Sequence, residues 1–241
     1  MFRTRHRARA LLFGGTTLLI AMSLYAAGAS AETGSKWLVL TSGGVTKTTS
    51  ELPVSLEGAL ETSTKESLLS KIVGIKIEKT CSAVTLIGMK LEGEGNIAAG
   101  GKIKFTGCKM FLNGEESAEC TPHTSGAPAG TMETSQLRGD LGLHSGGAIR
   151  IEPATGESFL TMEMSASCPI GNKVPIIGVM YGKDCEEHLA THLVKHLIEE
   201  GPGFSVWLIS KTAEHKVALD GSVLLFLGGA HTGLAWGGDL G

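Results

Sequence analysis

Ile75-Lys76-Ile77-Glu78, Val84-Thr85-Leu86, Lys90-Leu91-Glu92 and Ile103-Lys104-Phe105-Thr106 are the stretches that decide the fold. Apolar and polar residues alternate in each of them. A chain that alternates with period two puts one face on a core and the other in water, which predicts half-buried strands of antiparallel sheet. The phase changes twice. Val84 and Leu86 sit on even positions, whereas Met89 and Leu91 sit on odd ones, so the parity flips beside Gly88. Ile103 and Phe105 give way to Met110 and Leu112 across Gly107-Cys108. A flip beside a glycine predicts a β-bulge. Ile149-Arg150-Ile151-Glu152 and Leu160-Thr161-Met162-Glu163-Met164 extend the pattern.

Working outward, Gly-rich connections separate these runs, among them Gly93-Glu94-Gly95, Gly100-Gly101 and Gly228-Gly229. Short strands with such turns fit an antiparallel β-sandwich or barrel-like domain, so the expected class is mainly β. Asp220-Gly221 between Val217 and Leu227 reads as a type I′ hairpin turn. One amphipathic helix is expected from about Asp184 to Glu200. Leu189, Leu193 and Leu197 form a stripe at i, i+4 and i+8, acids fill the first turn, and Gly201-Pro202 stops the run. A shorter helix is expected over Ser63 to Lys71.

The whole chain has 241 residues, 34 of them Gly, with 42% apolar and 19% charged residues. That composition excludes a disordered chain, a collagen and a coiled coil. Arg3, Arg5, Arg7 and Arg9 precede an apolar run from Ala10 to about Gly28, and Ala29-Ser30-Ala31 follows. This is the pattern of a secretory signal peptide over 1–31, with a retained membrane anchor as the alternative; cleavage leaves 32–241 as a single secreted β-rich domain, with 121–131 the candidate subdomain break. Loss of the leader removes four of the 21 basic and none of the 24 acidic residues. The mature chain then carries 17 basic against 24 acidic residues, which argues against a nucleic-acid partner. After cleavage no apolar stretch is long enough to span a bilayer.

Export permits disulfides, and five cysteines are present: Cys81, Cys108, Cys120, Cys168 and Cys185. Cys108–Cys120 and Cys168–Cys185 would close short loops and leave Cys81 as a free thiol; Cys81–Cys108 is the rival pairing.

The sharpest chemical constellation is His188, His192 and His196, which on the expected helix share one ribbon and could hold zinc. Against this stands a plain polar flank beside the leucine stripe. No catalytic residue emerges. Gly95 to Ile103 is a near miss for a phosphate loop, because Lys102 falls one position late and no Ser or Thr follows it. His144-Ser145 lies in a Gly-rich turn with nothing to orient it. Trp37, Trp207 and Trp236 read as core anchors rather than a sugar platform.

Val84 to Asn113, Thr191 to Ile198 and the Gly-rich tail through Trp236-Gly237 together resemble a group of secreted proteins of unassigned function from high-GC Gram-positive, actinobacterial-type bacteria. The resemblance implies export and a β-rich fold and carries over no site. The expected function is therefore an exported, non-enzymatic protein that binds a partner or builds the cell-envelope surface. The alternatives are a secreted hydrolase with a site formed only in three dimensions, and a metal-binding extracytoplasmic protein using the His ribbon.

Overall fold

The computed structural model describes residues 34–41, 46–47, 53–61, 66–72, 74–142, 148–182, 188–195, 208–210 and 215–239. The expected leader lies outside the described residues. The described strands are β1 Lys36–Leu40, β2 Thr46–Lys47, β3 Val54–Leu60, β4 Glu66–Ile72, β5 Ile75–Cys81, β6 Ala83–Ile87 and β7 Lys90–Leu91. They continue with β8 Asn96–Thr106, β9 Lys109–Leu112, β10 Glu115–Glu116, β11 Met132–Glu133, β12 Leu137–Gly142, β13 Ala148–Pro153 and β14 Ser158–Glu163. The last are β15 Lys173–Gly178, β16 Met180–Gly182, β17 Thr191–Lys195, β18 Leu208–Ser210, β19 His215–Asp220, β20 Ser222–Leu227 and β21 Trp236–Asp239.

These strands make three antiparallel sheets. The largest runs β16-β13-β12-β8-β7-β3-β20-β17, with β6 and β11 also paired to β8. It curls into a nearly closed barrel. The second runs β10-β9-β5-β4-β19-β18-β15-β14, and the third is β2-β1-β21. At four places the chain passes between the second sheet and the barrel across only one or two residues: β5 into β6 at Ser82, β8 into β9 at Gly107-Cys108, β15 into β16 at Val179, and β19 into β20 at Gly221. The two β layers are thus joined by nearly continuous chain.

The phase changes in the sequence mark real breaks. At Ser82 the buried positions shift from Ile77, Lys79 and Cys81 to Val84, and at Gly107 they shift from Ile103 and Phe105 to Cys108 and Met110. The two breaks face each other, with Ser82 N–H donating to Thr106 O at 3.1 Å. Gly107 has φ 61°, and a Cβ there would overlap Ser82 Oγ, so both backbone and space require glycine. Gly88, at φ 65°, interrupts β6 and β7 where the parity flips.

The registers Thr80↔Lys109 and Ala83↔Thr106 bring Cys81 opposite Cys108, and these two form a disulfide. Cys120 pairs with Cys168. The expected pairs Cys108–Cys120 and Cys168–Cys185 are therefore replaced, and Cys81 is not a free thiol. Short loop length misled, because strand register decides which cysteines meet. Cys185 lies outside the described residues.

Two further expectations change. Thr191–Lys195 of the expected helix is a strand, paired His192↔Leu225 and Val194↔Val223 with β20, and Leu189 forms an isolated bridge to Trp236. The ends of that segment, 184–187 and 196–200, lie outside the described residues. Glu66–Ile72, which overlaps the other expected helix, is β4, paired along its whole length with β5. Asp220-Gly221 is no hairpin: β19 pairs β4 and β18, while β20 pairs β3 and β17. Gly221 separates two strands that follow one another directly but belong to different sheets.

The stretch 121–131 is a loop held by its own backbone bonds, including Gly130 N–H to Pro122 O at 2.9 Å and Thr124 N–H to Thr131 O at 3.1 Å.

Candidate functional site

The barrel interior is built from alternate residues of its strands. Val54 and Leu56 of β3, Ile97, Ile103 and Phe105 of β8, Ile149 of β13, Val194 of β17, and Val223, Leu225 and Leu227 of β20 are all buried. Their neighbours in sequence, such as Ser55, Glu57, Lys102, Lys104 and Leu193, are exposed or half-buried. Glycines in the strands make room for larger partners. A Cβ on Gly101 would overlap Met89, one on Gly139 the carbonyl oxygen of Arg150, and one on Gly182 the Cγ1 of Val194. Pairing a small residue with a large one is how a narrow barrel fills its interior.

The filling is incomplete. A cavity of about 40 Å³ remains, lined by apolar residues from β3, β6, β8, β13, β16, β17 and β20 together with Met89. This is room for roughly three water-sized spheres, and so apolar a lining offers water few hydrogen-bond partners. The wall holds branched aliphatics, one aromatic ring (Phe105) and two thioethers (Met89 and Met180). Its chemistry is burial of apolar surface, worth about 25 cal/mol per Å².

Two sets of contacts brace the barrel. In one, the small β2-β1-β21 sheet packs on it, with Leu141 of β12 filling the space beside Gly238. Trp37 and Trp236 are fully buried with ring centroids 5.8 Å apart, and Trp37 Nε1–H donates to Asn96 O at 3.1 Å. His192 reaches the same place from β17. Its ring meets Trp236 edge-on at 4.3 Å, and its Nε2 lies 2.7 Å from Trp236 O. A carbonyl oxygen only accepts, so Nε2 carries the proton. That oxygen also receives Leu189 N–H at 3.1 Å. Among the described residues, Trp236 Nε1 and Ser35 Oγ are buried with no hydrogen-bond partner. In the other, between β5 of the second sheet and β8, the Lys79 ammonium lies 4.8 Å from the centre of the Phe105 ring, close enough for a cation–π interaction.

On the opposite face of β12 and β13, Arg138 pairs with Glu152 at 2.9 Å, and Arg150 pairs with both Glu152 and Asp140. The registers Arg138↔Glu152 and Asp140↔Arg150 put opposite charges directly across from one another, the favourable arrangement in a sheet.

The structure disperses the expected histidine ribbon. Over 188–195 there is no helix; His188 is exposed and His192 is in the core, while His196 lies outside the described residues. Among the described residues no three His, Cys, Asp or Glu side chains are grouped to hold a metal. The near-miss phosphate loop begins β8 as plain strand. Trp37 and Trp236 are core anchors, as expected; Trp207 and His144-Ser145 lie outside the described residues. The cavity itself escaped sequence reading, although its signal was present in the period-two apolar positions and the glycines inside strands.

Comparison with protein-family models, with curated proteins and with solved structures gives no match to this chain.

Proposed function

We propose that this chain is an exported, non-enzymatic binding protein that holds a small apolar ligand inside its barrel. The observation that carries the reading is the cavity of about 40 Å³, lined almost entirely by apolar side chains and set inside a nearly closed sheet. A wall of aliphatic, aromatic and thioether groups binds by excluding water and offers no atom for proton transfer or nucleophilic attack. Of the two roles expected from sequence, binding and building the envelope surface, the cavity favours the first.

Two disulfides suit an oxidising compartment. No helix among the described residues is long and apolar enough to cross a membrane. The resemblance to exported actinobacterial-type proteins points to the same compartment. The metal reading loses its geometric basis with the helical ribbon over 188–195.

Xenon tests the reading, because it enters dry apolar cavities without regard to ligand shape. Xenon under pressure should raise the unfolding midpoint, since a ligand that binds only the native state stabilises by mass action. Val223→Ile adds one methylene to the wall, should itself stabilise by about 0.8 kcal/mol, and should abolish the xenon effect. A midpoint that xenon leaves unchanged in the natural protein contradicts the proposal.

A further inference from the structure

We propose that Asn113 is a site of spontaneous covalent modification: its side-chain amide is lost through a succinimide formed with Gly114, and the isoaspartyl product frees the β9–β10 turn from β5.

The sequence supplies the reactive pair. The chain has three asparagines, and only Asn113 is followed by glycine; Ile97 follows Asn96 and Lys173 follows Asn172. A succinimide forms when the main-chain nitrogen of the next residue attacks the asparagine Cγ, and a side chain on that residue hinders the approach. Gly114 has none. Asn113 and Gly114 are both exposed, and a Cβ at 114 would meet no atom within 4 Å, so water reaches the pair.

The fold supplies the geometry. Asn113 and Gly114 are the turn residues between β9 and β10, where Leu112 lies opposite Glu115. Their φ values are 53° and 92°, the positive pair that a type I′ turn requires. Asn113 N–H donates to Lys76 O at 2.8 Å, and Lys76 N–H donates to Asn113 Oδ1 at 2.9 Å. The side-chain carbonyl thus continues the β5–β9 ladder one residue beyond the pair Ile77↔Leu112. Negative charge gathers on Oδ1 as Cγ is attacked, and a donor already aimed at that oxygen stabilises it.

The step balances without any oxidant. Gly114 N bonds to Asn113 Cγ, and its proton leaves with the side-chain NH2 as ammonia. Water then opens the succinimide at one of its two C–N bonds. Breaking the bond to Cγ gives aspartate, whose oxygen still accepts from Lys76 N–H. Breaking the bond to the main-chain carbon gives isoaspartate, in which the chain runs through Cβ and Cγ and the carboxylate sits directly on Cα. The turn is then one carbon longer, and the acceptor for Lys76 N–H has moved. The new charge also joins the exposed Glu115, Glu116 and Glu119. β10 is the outermost strand of the second sheet, so its release opens the edge of β9.

The test holds the natural protein at mildly alkaline pH while tryptophan fluorescence reports that it stays folded. The tryptic peptide 110–138 should gain the mass of OH in place of NH2 and become a substrate for protein isoaspartyl methyltransferase. Conversion should be faster than at Asn96 or Asn172 by about tenfold or more. An amide at Asn113 that lasts as long as the other two overturns the site, and so does conversion seen only after the fluorescence changes. Aspartate without isoaspartate overturns the succinimide. Asn113→Gln, whose longer side chain closes the ring poorly, should yield no acidic form on ion exchange over the same period; an equal yield places the change elsewhere and overturns the site. Hydrogen exchange tests the release. The Lys76 amide should exchange about tenfold faster in the purified isoaspartyl form, the effect of one lost hydrogen bond, and stay protected in Asn113→Asp. Unchanged protection in the isoaspartyl form overturns the release.

Discussion

His192 shows how much a single side chain does here. Its ring is fully buried, packs edge-on against Trp236, and donates to the Trp236 carbonyl that also receives Leu189 N–H. Replacing His192 by Ala removes a packed ring and a hydrogen bond together, and should cost about 3 kcal/mol of unfolding free energy in a denaturant titration. His192→Phe keeps the ring contact and should cost about 1 kcal/mol, because Leu189 still serves the carbonyl. A polar flank exposed to solvent would tolerate both changes. Gly182 makes the complementary case. Its missing side chain is replaced by a Val194 methyl, so Gly182→Ala should destabilise by about 1–3 kcal/mol through overpacking. Adding Val194→Ala should recover part of that loss, which a double-mutant cycle would read as coupling between the two sites. At this scale the sequence was legible for Trp37 and Trp236, whose size alone marks them as core. It was not legible for His192, because a histidine at a buried strand position has the same sequence neighbours as one on a surface helix.

Among the elements, the strands with strict alternation were readable and the exceptions have one physical cause. Spacings of four residues fit a helical turn, yet four is also a multiple of two. His188, His192 and His196, or Leu189, Leu193 and Leu197, therefore satisfy either period. What chooses is the partner: Thr191–Lys195 lies in register with Ser222–Phe226. No local pattern contains that information. The Asp220-Gly221 signal failed for a related reason, since the residues allow a reversal but β19 and β20 find partners in different sheets. The phase changes at Gly88 and Gly107 were readable because a change of buried face needs a break in the ladder whatever the partner. At the second break the Cys81–Cys108 disulfide closes a sequence separation of 27 residues where β5/β6 and β8/β9 bend together. Removing it with paired Ala substitutions should cost about 3.5 kcal/mol on the chain-entropy model, measurable by denaturant unfolding.

For the molecule as a whole, closure is the organising property. β10 and β14 are the outer strands of the second sheet, and Cys120 and Cys168 lie just beyond them in sequence. Their disulfide ties the two edges together, and His123 adds a single bridge to Glu163 of β14. Edge strands left open invite association with other chains, so tying them protects the fold. A peptide map without reduction should show Cys81 linked to Cys108 and Cys120 linked to Cys168, with Cys185 in neither linkage. Recovery of a Cys168–Cys185 peptide would contradict the arrangement of the second sheet. The sequence announced a β-rich chain with alternating faces. It did not announce that the chain passes directly from one sheet to the other or that the larger sheet curls round an apolar space, because both depend on pairings between residues far apart in the chain.

The central claim is that the barrel interior is a ligand site. Diffraction from a crystal of the protein pressurised with xenon tests it most directly. The account predicts a xenon atom inside the barrel, in contact with Leu56, Phe105, Val194 and Val223, and none there in Val223→Ile. Xenon found only on the outer surface, with the interior empty, would contradict it.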